Sequence, residues 1–286
     1  MTIWEAVLLG AVQGIFMFIP VSSTSHLALV QQVLIERGSS LPPPDSPDLI
    51  LFDLIVHVGT LISVMIVFRH SLWRLVSGLT KELHAVIRRI QRPTMRYMQL
   101  AALGLLAMAM TGIIGVIILQ SGAEEIFNIP ELIALNLVIT GIILWWTDKA
   151  QGQWRDPDSI SPWVAAGIGI AQGIALLPGL SRSGLTIAAA LWLGLKRRWA
   201  AEFSFFIAIP TIVAGSVVQT WIVVGDGEPL LVAPVSFAIG FVVAAVVGTG
   251  ALLMVLRLLY KARFRVFSVY VWLLAALVLS GVFVHY

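Results

Sequence analysis

The sequence contains no cysteine, so disulfides, thiolate nucleophiles and thiolate metal sites are excluded in any compartment. Charge is scarce as well. Asp, Glu, Lys and Arg make up 12% of the 286 residues, too few to cover the surface of a water-soluble domain of that size. The basic residues form no patch interleaved with stacking aromatics, and loop basicity accounts for the net charge of +3, which points away from nucleic acid as a partner. The first thirty residues do not read as a secretory signal. Met1-Thr2-Ile3-Trp4-Glu5 has no basic start, and the apolar run leads into Pro20-Val21-Ser22-Ser23 rather than a small-residue cleavage site. The N-terminus is therefore expected to stay on the mature protein.

Apolar residues are abundant, at 59% of the chain with a mean hydropathy of +0.96. Several apolar runs reach the roughly 20 residues needed to cross a hydrocarbon core of about 30 Å as a helix. The charges are spaced so that no soluble domain of ordinary size fits between them. The chain reads as one all-α integral membrane domain over residues 1–286.

Two polar interruptions organise that domain. Gln13-Gly14-Ile15 leads through apolar residues to Pro20-Val21-Ser22-Ser23-Thr24-Ser25-His26, and Gln172-Gly173-Ile174 leads in the same order to Pro178-Gly179-Leu180-Ser181-Arg182-Ser183-Gly184. A straight span through residues 3–35 or 162–195 would put these hydroxyls at bilayer depth. Non-helical backbone is tolerated there only when buried in protein or lining a wet cavity. Pro20 is the expected break, because proline removes a helical N–H and disfavours a helical residue before it. Each stretch is thus expected to be a re-entrant helical hairpin; the alternative is an ordinary span with a kink.

The remaining apolar runs give full spans at about 49–68, 97–119 and 131–146 in repeat one (1–160), and at about 199–224, 231–256 and 266–284 in repeat two (161–286). A Pro-rich loop (36–48), a basic stretch from Arg69 to Arg96, an acidic loop with Glu124 and Glu125, and the loop 147–160 connect them. A hairpin returns to the side it entered, so three crossings per half leave the halves in opposite orientation, an inverted-topology repeat. Loop charge agrees. If Arg69–Arg96 is cytoplasmic, so are all of the 18 Lys and Arg residues except Arg37 and Arg182. Both termini then lie outside, hairpin one enters from outside, hairpin two enters from the cytoplasm, and the two polar tips meet near the midplane. Trp145, Trp146, Trp154 and Trp163 read as interfacial anchors.

Arg182 is the most informative residue. A guanidinium at bilayer depth costs several kcal/mol, roughly 2.5–3.5 on insertion scales, and should face a cavity or an anion. With Ser181 and Ser183 beside it, Gly179 and Gly184 allowing close backbone approach, and a helix start after the Pro-Gly break, it makes a phosphate cradle. Its competing role is to tie two helices together through carbonyls. His26 occupies the matching place of the other hairpin and is either a packing residue or a general acid, base or phosphoryl acceptor. Gln13 and Gln172 bridge helices or meet a ligand. Asp53 and Glu202, each early in the span after a hairpin, either balance Arg182, bind a cation or are simply solvated.

These strings, together with Phe52-Asp53-Leu54-Ile55-Val56-His57-Val58-Gly59-Thr60, Glu202-Phe203-Ser204-Phe205 and the continuation Leu185-Thr186, resemble the bacitracin-resistance type undecaprenyl-pyrophosphate phosphatase family over nearly the whole chain. The resemblance implies an interdigitated inverted-repeat fold in the bacterial plasma membrane with a site opening to the outer face. It also implies removal of the terminal phosphate from a C55 polyprenyl pyrophosphate, assisted by a divalent cation (Mg²⁺ or Ca²⁺), leaving the lipid carrier monophosphate used in wall synthesis. By position, Arg182 clamps the pyrophosphate and Ser181 and Ser183 hydrogen-bond it. His26 or Ser23 supplies the nucleophile or base, and Gln13, Ser22, Thr24, Gly179, Gly184 and Thr186 complete the head-group site. Gln13, Asp53 and Glu202 are the candidate cation ligands. A homodimer is left open.

The departure is at Met17, where the family pattern has an acidic residue used in catalysis or metal binding; Ser25 also replaces a usual glycine. A thioether is a poor ligand for cations that want oxygen, and it moves no proton. Either Asp53 or Glu202 substitutes for the missing carboxylate, or hydrolysis runs slowly on Arg182 and His26 alone, or it is lost. The last outcome suits a second reading, a lipid-carrier transporter that binds polyprenyl phosphate at Arg182 and works by alternating access. The otherwise intact motif set keeps the phosphatase, with reduced activity, as the first. A purely structural scaffold has no need of an intramembrane arginine between serines.

Overall fold

The computed structural model describes residues 1–88, 95–122, 129–150, 155–225, 231–261 and 264–280. Among them the chain forms eleven α-helices: α1 (Ile3–Phe16), α2 (Ser23–Glu36), α3 (Pro47–Val67), α4 (Arg69–Ile87), α5 (Arg96–Ser121), α6 (Pro130–Thr147), α7 (Pro162–Ile174), α8 (Arg182–Trp192), α9 (Arg197–Gly225), α10 (Pro234–Tyr260) and α11 (Phe264–Leu279). One 3₁₀ turn, Pro157–Ser159, precedes α7. Among the described residues there is no strand; Arg155 and Leu195 make an isolated bridge.

Five helices are long and apolar enough to cross a membrane: α3, α5, α6, α9 and α10. The sixth expected span corresponds to α11, an apolar helix of 16 residues; positions 281–284 of that expectation lie outside the described residues. So do Arg89, Arg92, Glu124, Glu125, Trp154 and Arg263. Large apolar side chains such as Leu105, Ile117, Val217 and Val246 point outward from the spans, as a surface facing lipid tails requires.

Small residues decide which helices pair. α1 lies along α10 and α7 lies along α5. A methyl group on Gly10 would sit 2.7 Å from the Gly240 carbonyl oxygen, and one on Gly14 would sit 2.9 Å from that of Ala244. In the other pair Gly169 meets the backbone at Ala107, and Gly173 meets the Ile114 side chain. Gly10-x-x-Gln13-Gly14 and Gly169-x-x-Gln172-Gly173 are thus the same small-residue seam used twice, the packing that suits helices without a hydrophobic drive between them. Thr111 fastens one seam, its Oγ1 donating to Gly169 O at 3.0 Å.

Carboxylates at helix starts supply the polar joints. Asp48 accepts from the backbone N–H groups of Leu231 and Val232 (2.8–3.1 Å), just before α10. Asp148 accepts from those of Phe264 and Arg265 at the start of α11. Glu82 accepts from Tyr97 and Met98 at the start of α5. Asp148 and Glu82 satisfy N–H groups that a helix start leaves without partners and set negative charge against the positive end of the helix dipole, while Asp48 ties down the segment that leads into α10.

Two expectations are refined. The basic stretch after Phe68 is a helix, α4, packed on α5, with Gly78 against the Tyr97 ring. The first break also falls earlier than Pro20. α1 ends at Phe16, because Pro20 has no N–H to give the Phe16 carbonyl. Of the expected anchors, Trp146 and Trp163 are exposed, while Trp145 lies against Trp272 with Arg265 over its ring.

Candidate active site

The two breaks come together. Residues 17–22 separate α1 from α2, and 175–181 separate α7 from α8. Pro20 packs on Gly184, where an added Cβ would stand 3.3 Å from the proline ring. Met17, the C-cap of α1, sends its sulfur to Arg182, the first residue of α8, with Arg182 Nη2 at 3.4 Å. Gln13 Nε2 reaches the same sulfur at 3.5 Å and Ser23 Oγ at 4.0 Å. Three donors, one of them cationic, thus converge on a thioether, which is a weak acceptor.

Arg182 has five N–H donors, and the Met17 sulfur is the one protein acceptor that its guanidinium meets among the described residues. No carboxylate pairs with it there; the ion pairs join Arg96 to Asp158, Lys196 to Asp156 and Arg198 to Glu202. A partly buried guanidinium with most of its donors free is built to receive an anion.

The surrounding segment holds it in place. Gly179 takes a φ of 86°, which glycine adopts without strain, and an added Cβ would lie 2.6 Å from Ile133 O. Asn136 Nδ2 donates to Pro178 O at 2.6 Å, and Thr140 Oγ1 accepts from Ser181 N at 3.2 Å. Ser181 is the N-cap of α8, its Oγ accepting from Gly184 N at 3.1 Å and lying 3.5 Å from Ser183 Oγ. Thr186 is turned back on its own helix and donates to Arg182 O at 2.8 Å.

At the other tip, Ser22 has a φ of 68°, a left-handed conformation rare outside glycine, and it precedes α2 without a side-chain cap. The first N–H groups of α2 are therefore left for water or a ligand. Ser22 Oγ lies 3.0 Å from Ser25 Oγ and 3.4 Å from Thr24 Oγ1. His26 Nδ1 is 2.7 Å from Ser22 O, and since a carbonyl only accepts, Nδ1 carries the proton. Nε2 then accepts from Tyr270 OH at 2.8 Å, and Phe16 stacks on the ring at 3.9 Å.

Contacts thus bring Arg182, Gln13 and Ser23 to one sulfur, while those of His26 run to Tyr270 and Phe16 instead. Tyr270, Asn136 and Thr140 carry no signal in the sequence, being distant in the chain from what they support. His57, quoted among the motifs but assigned no role, has its Nδ1 2.8 Å from Asp53 O, one turn back in α3. Asp53 accepts from Gln31 Nε2 at 2.8 Å. The ion-pair partner of Glu202 is Arg198 at 3.0 Å, not Arg182. The two glutamines differ in duty: Gln172 Nε2 donates to Thr111 and Thr211, whereas Gln13 Nε2 has the sulfur. In both, the buried Oε1 is without a protein partner.

The expected divalent cation does not fit this donor set. Magnesium and calcium take oxygen ligands, several of them carboxylates, and here a sulfur beside a guanidinium fills the central position. Among the described residues no three His, Cys, Asp or Glu side chains cluster as a metal site.

Comparison with known proteins covers nearly the whole chain. The undecaprenyl-diphosphatase of Alkalilimnicola ehrlichii is 49% identical over 282 residues, 98% of this chain and 97% of that protein. The protein of the same description from Halorhodospira halophila is 47% identical over 283 residues, 98% of each chain. That of Carboxydothermus hydrogenoformans is 32% identical over 280 residues, 98% of this chain and 97% of that protein. The family model described as bacitracin resistance protein BacA matches residues 6–277, and the chain belongs to that family.

Proposed function

We propose that this protein is a multi-pass membrane hydrolase that cleaves undecaprenyl pyrophosphate, water replacing the bridging oxygen on the terminal phosphorus to give the lipid monophosphate and inorganic phosphate. The observation that carries this reading is Arg182: an arginine at a helix start, between serines, with no carboxylate partner among the described residues. Its guanidinium offsets part of the charge of the two phosphates and of the charge that grows on the leaving oxygen. The N–H groups that open α2 and α8, with Gln13 and Ser183, orient the head group. Ser23 lies on the Arg182 side of the first tip and is placed to attack or to direct water, whereas His26 has to release Tyr270 before it can take a proton. The relatives named undecaprenyl-diphosphatase support the substrate. Phosphate release from the C55 pyrophosphate by purified protein tests the reading; none, under conditions where the lipid binds, would end it.

The proposal includes the finer architecture, two re-entrant hairpins in an inverted-topology repeat, in a bacterial plasma membrane with the site opening outward. Reciprocal pairing supports it, since α1 of the first half packs on α10 of the second and α7 of the second packs on α5 of the first. Because the chain has no cysteine, single cysteines report directly. A cysteine at exposed Ser40 is expected to react with an impermeant thiol reagent on intact cells, and one at exposed Arg88 to be shielded. The opposite pattern would overturn the orientation.

One observation favours a second reading. With a thioether where an oxygen ligand or base would serve hydrolysis, the cradle is equipped to bind a lipid phosphate and poorly equipped to move a proton. In that reading the protein is a polyprenyl-phosphate transporter, and lipid binding without phosphate release is the result that selects it.

A further inference from the structure

Away from Arg182, a cavity of about 540 Å³ opens between α4, α5 and α9, within the range of small-molecule sites (about 300–1,000 Å³). Its body is apolar, with Leu100, Met108, Phe203 and Phe206 among the lining residues, and its polar groups include Ser71, Arg74, Arg96 and Glu202. The charges there are unequally matched. Arg96 is paired with Asp158 at 2.5 Å and Glu202 with Arg198 at 3.0 Å. Arg74 has no carboxylate partner among the described residues, and its Nη2 donates to Ser71 Oγ at 3.2 Å. Among the described residues the site therefore carries one uncompensated cation beside a hydroxyl, above an apolar interior.

α4 sets this mouth in the plane where lipid head groups lie. Arg74, Lys81 and the C-cap residue Arg88 follow at intervals of seven residues, so on a helix of 3.6 residues per turn they form one exposed stripe. Beside it runs a second exposed stripe, apolar, with Trp73, Val76, Leu83 and Ile87. The third face packs on α5 through Gly78 and Glu82. A helix with adjacent apolar and basic stripes, tied to a membrane span, lies in the interface with its cations at phosphate level.

We propose that this cavity binds an anionic glycerophospholipid, its phosphodiester held by Arg74 and Ser71 and one acyl chain laid between α5 and α9. The assignment to the cytoplasmic leaflet rests on the orientation proposed above; the site itself does not, and it is separate from the pyrophosphate site. Charge complementarity selects an anionic over a zwitterionic head group, because among the described residues nothing acidic that lines the cavity is left unpaired to hold a choline.

The test uses the full chain in detergent with short-chain phosphatidylglycerol, phosphatidylcholine of equal chain length, or inorganic phosphate, read by native mass spectrometry and by melting temperature. Phosphatidylglycerol is expected to bind about tenfold tighter than phosphatidylcholine, the worth of one charge-assisted contact, and inorganic phosphate not measurably. Arg74→Gln should erase that preference and Arg74→Lys should keep most of it. Gly104 lines the cavity, and a Cβ there meets nothing within 4 Å. Gly104→Leu should therefore fill the cavity and weaken both lipids at least tenfold without lowering the lipid-free melting temperature. Equal affinity for the two lipids, a match by phosphate alone, or unchanged preference in Arg74→Gln would overturn the proposal; so would unchanged lipid binding in Gly104→Leu. Phosphate release from the C55 substrate is expected to persist in these variants, which keeps failure here distinct from failure of the proposed activity.

Discussion

Arg182→Lys is expected to weaken pyrophosphate binding roughly 10- to 150-fold, the equivalent of the 1.5–3 kcal/mol carried by a charge-assisted hydrogen bond. The charge survives the change, so the loss measures geometry. A guanidinium offers a planar fork that grips two phosphate oxygens at once, and an ammonium is a point charge on a flexible stem. The Met17 sulfur is the one protein acceptor the guanidinium meets among the described residues, so the variant should fold with little change in melting temperature. A structural arginine would give the reverse, a lower melting temperature with the affinity for C55 pyrophosphate unchanged. Isothermal titration or competition binding, run beside a thermal melt, separates the two.

The spans were legible because lipid imposes one rule on every backbone group: it must be satisfied within the segment, so a long apolar run without charge becomes a helix. The pairing of helices was only partly legible. The repeated Gln-Gly strings mark corresponding segments, but that Gly10 and Gly14 meet α10, and Gly169 and Gly173 meet α5, depends on contacts far apart in the chain. α4 was hidden because its residues were read by composition, as a basic connection. Read at a period of 3.6, Arg74, Lys81 and Arg88 fall on one side and Leu75, Gly78 and Glu82 on others, which is a helix pattern.

At the site, the residues that the repeat aligned and the breaks exposed were the legible ones. Arg182, Ser23 and Gln13 converge on Met17, the position singled out for its missing carboxylate. Glu202, for which pairing with Arg182 is one of three sequence readings, has a nearer partner. Arg198 stands four residues before it in the same helix, the spacing at which side chains meet, and there the ion pair forms. Tyr270 is the converse, 244 residues from the imidazole it caps. Nothing local could have announced it.

Met17→Glu is expected to raise hydrolysis by about 10²–10⁴-fold, the usual worth of general acid–base participation, and to make the gain depend on an added divalent cation. The donors are already in place. A carboxylate at position 17 would accept from Arg182, Gln13 and Ser23, which now share a sulfur at 3.4, 3.5 and 4.0 Å. Beside Ser23 it becomes a base for the hydroxyl or for water, and with the free Oε1 of Gln13 it offers oxygen to a hard cation. Burying the new charge costs less than at an isolated position, because Arg182 faces it unpaired. The same pairing opposes catalysis in one respect, since a carboxylate on Arg182 reduces the positive charge available to the pyrophosphate. The two effects separate in the kinetics: the base raises kcat, while the lost charge raises KM. Met17→Gln supplies the control, adding polar atoms and no charge, and it should leave kcat near the natural value. The measurement is phosphate release from C55 pyrophosphate by the three proteins in one detergent, with and without Mg²⁺. If the natural protein already turns over briskly and Met17→Glu adds nothing, another residue has taken over the carboxylate's work. If neither is active while both bind lipid phosphate, the cradle serves transport.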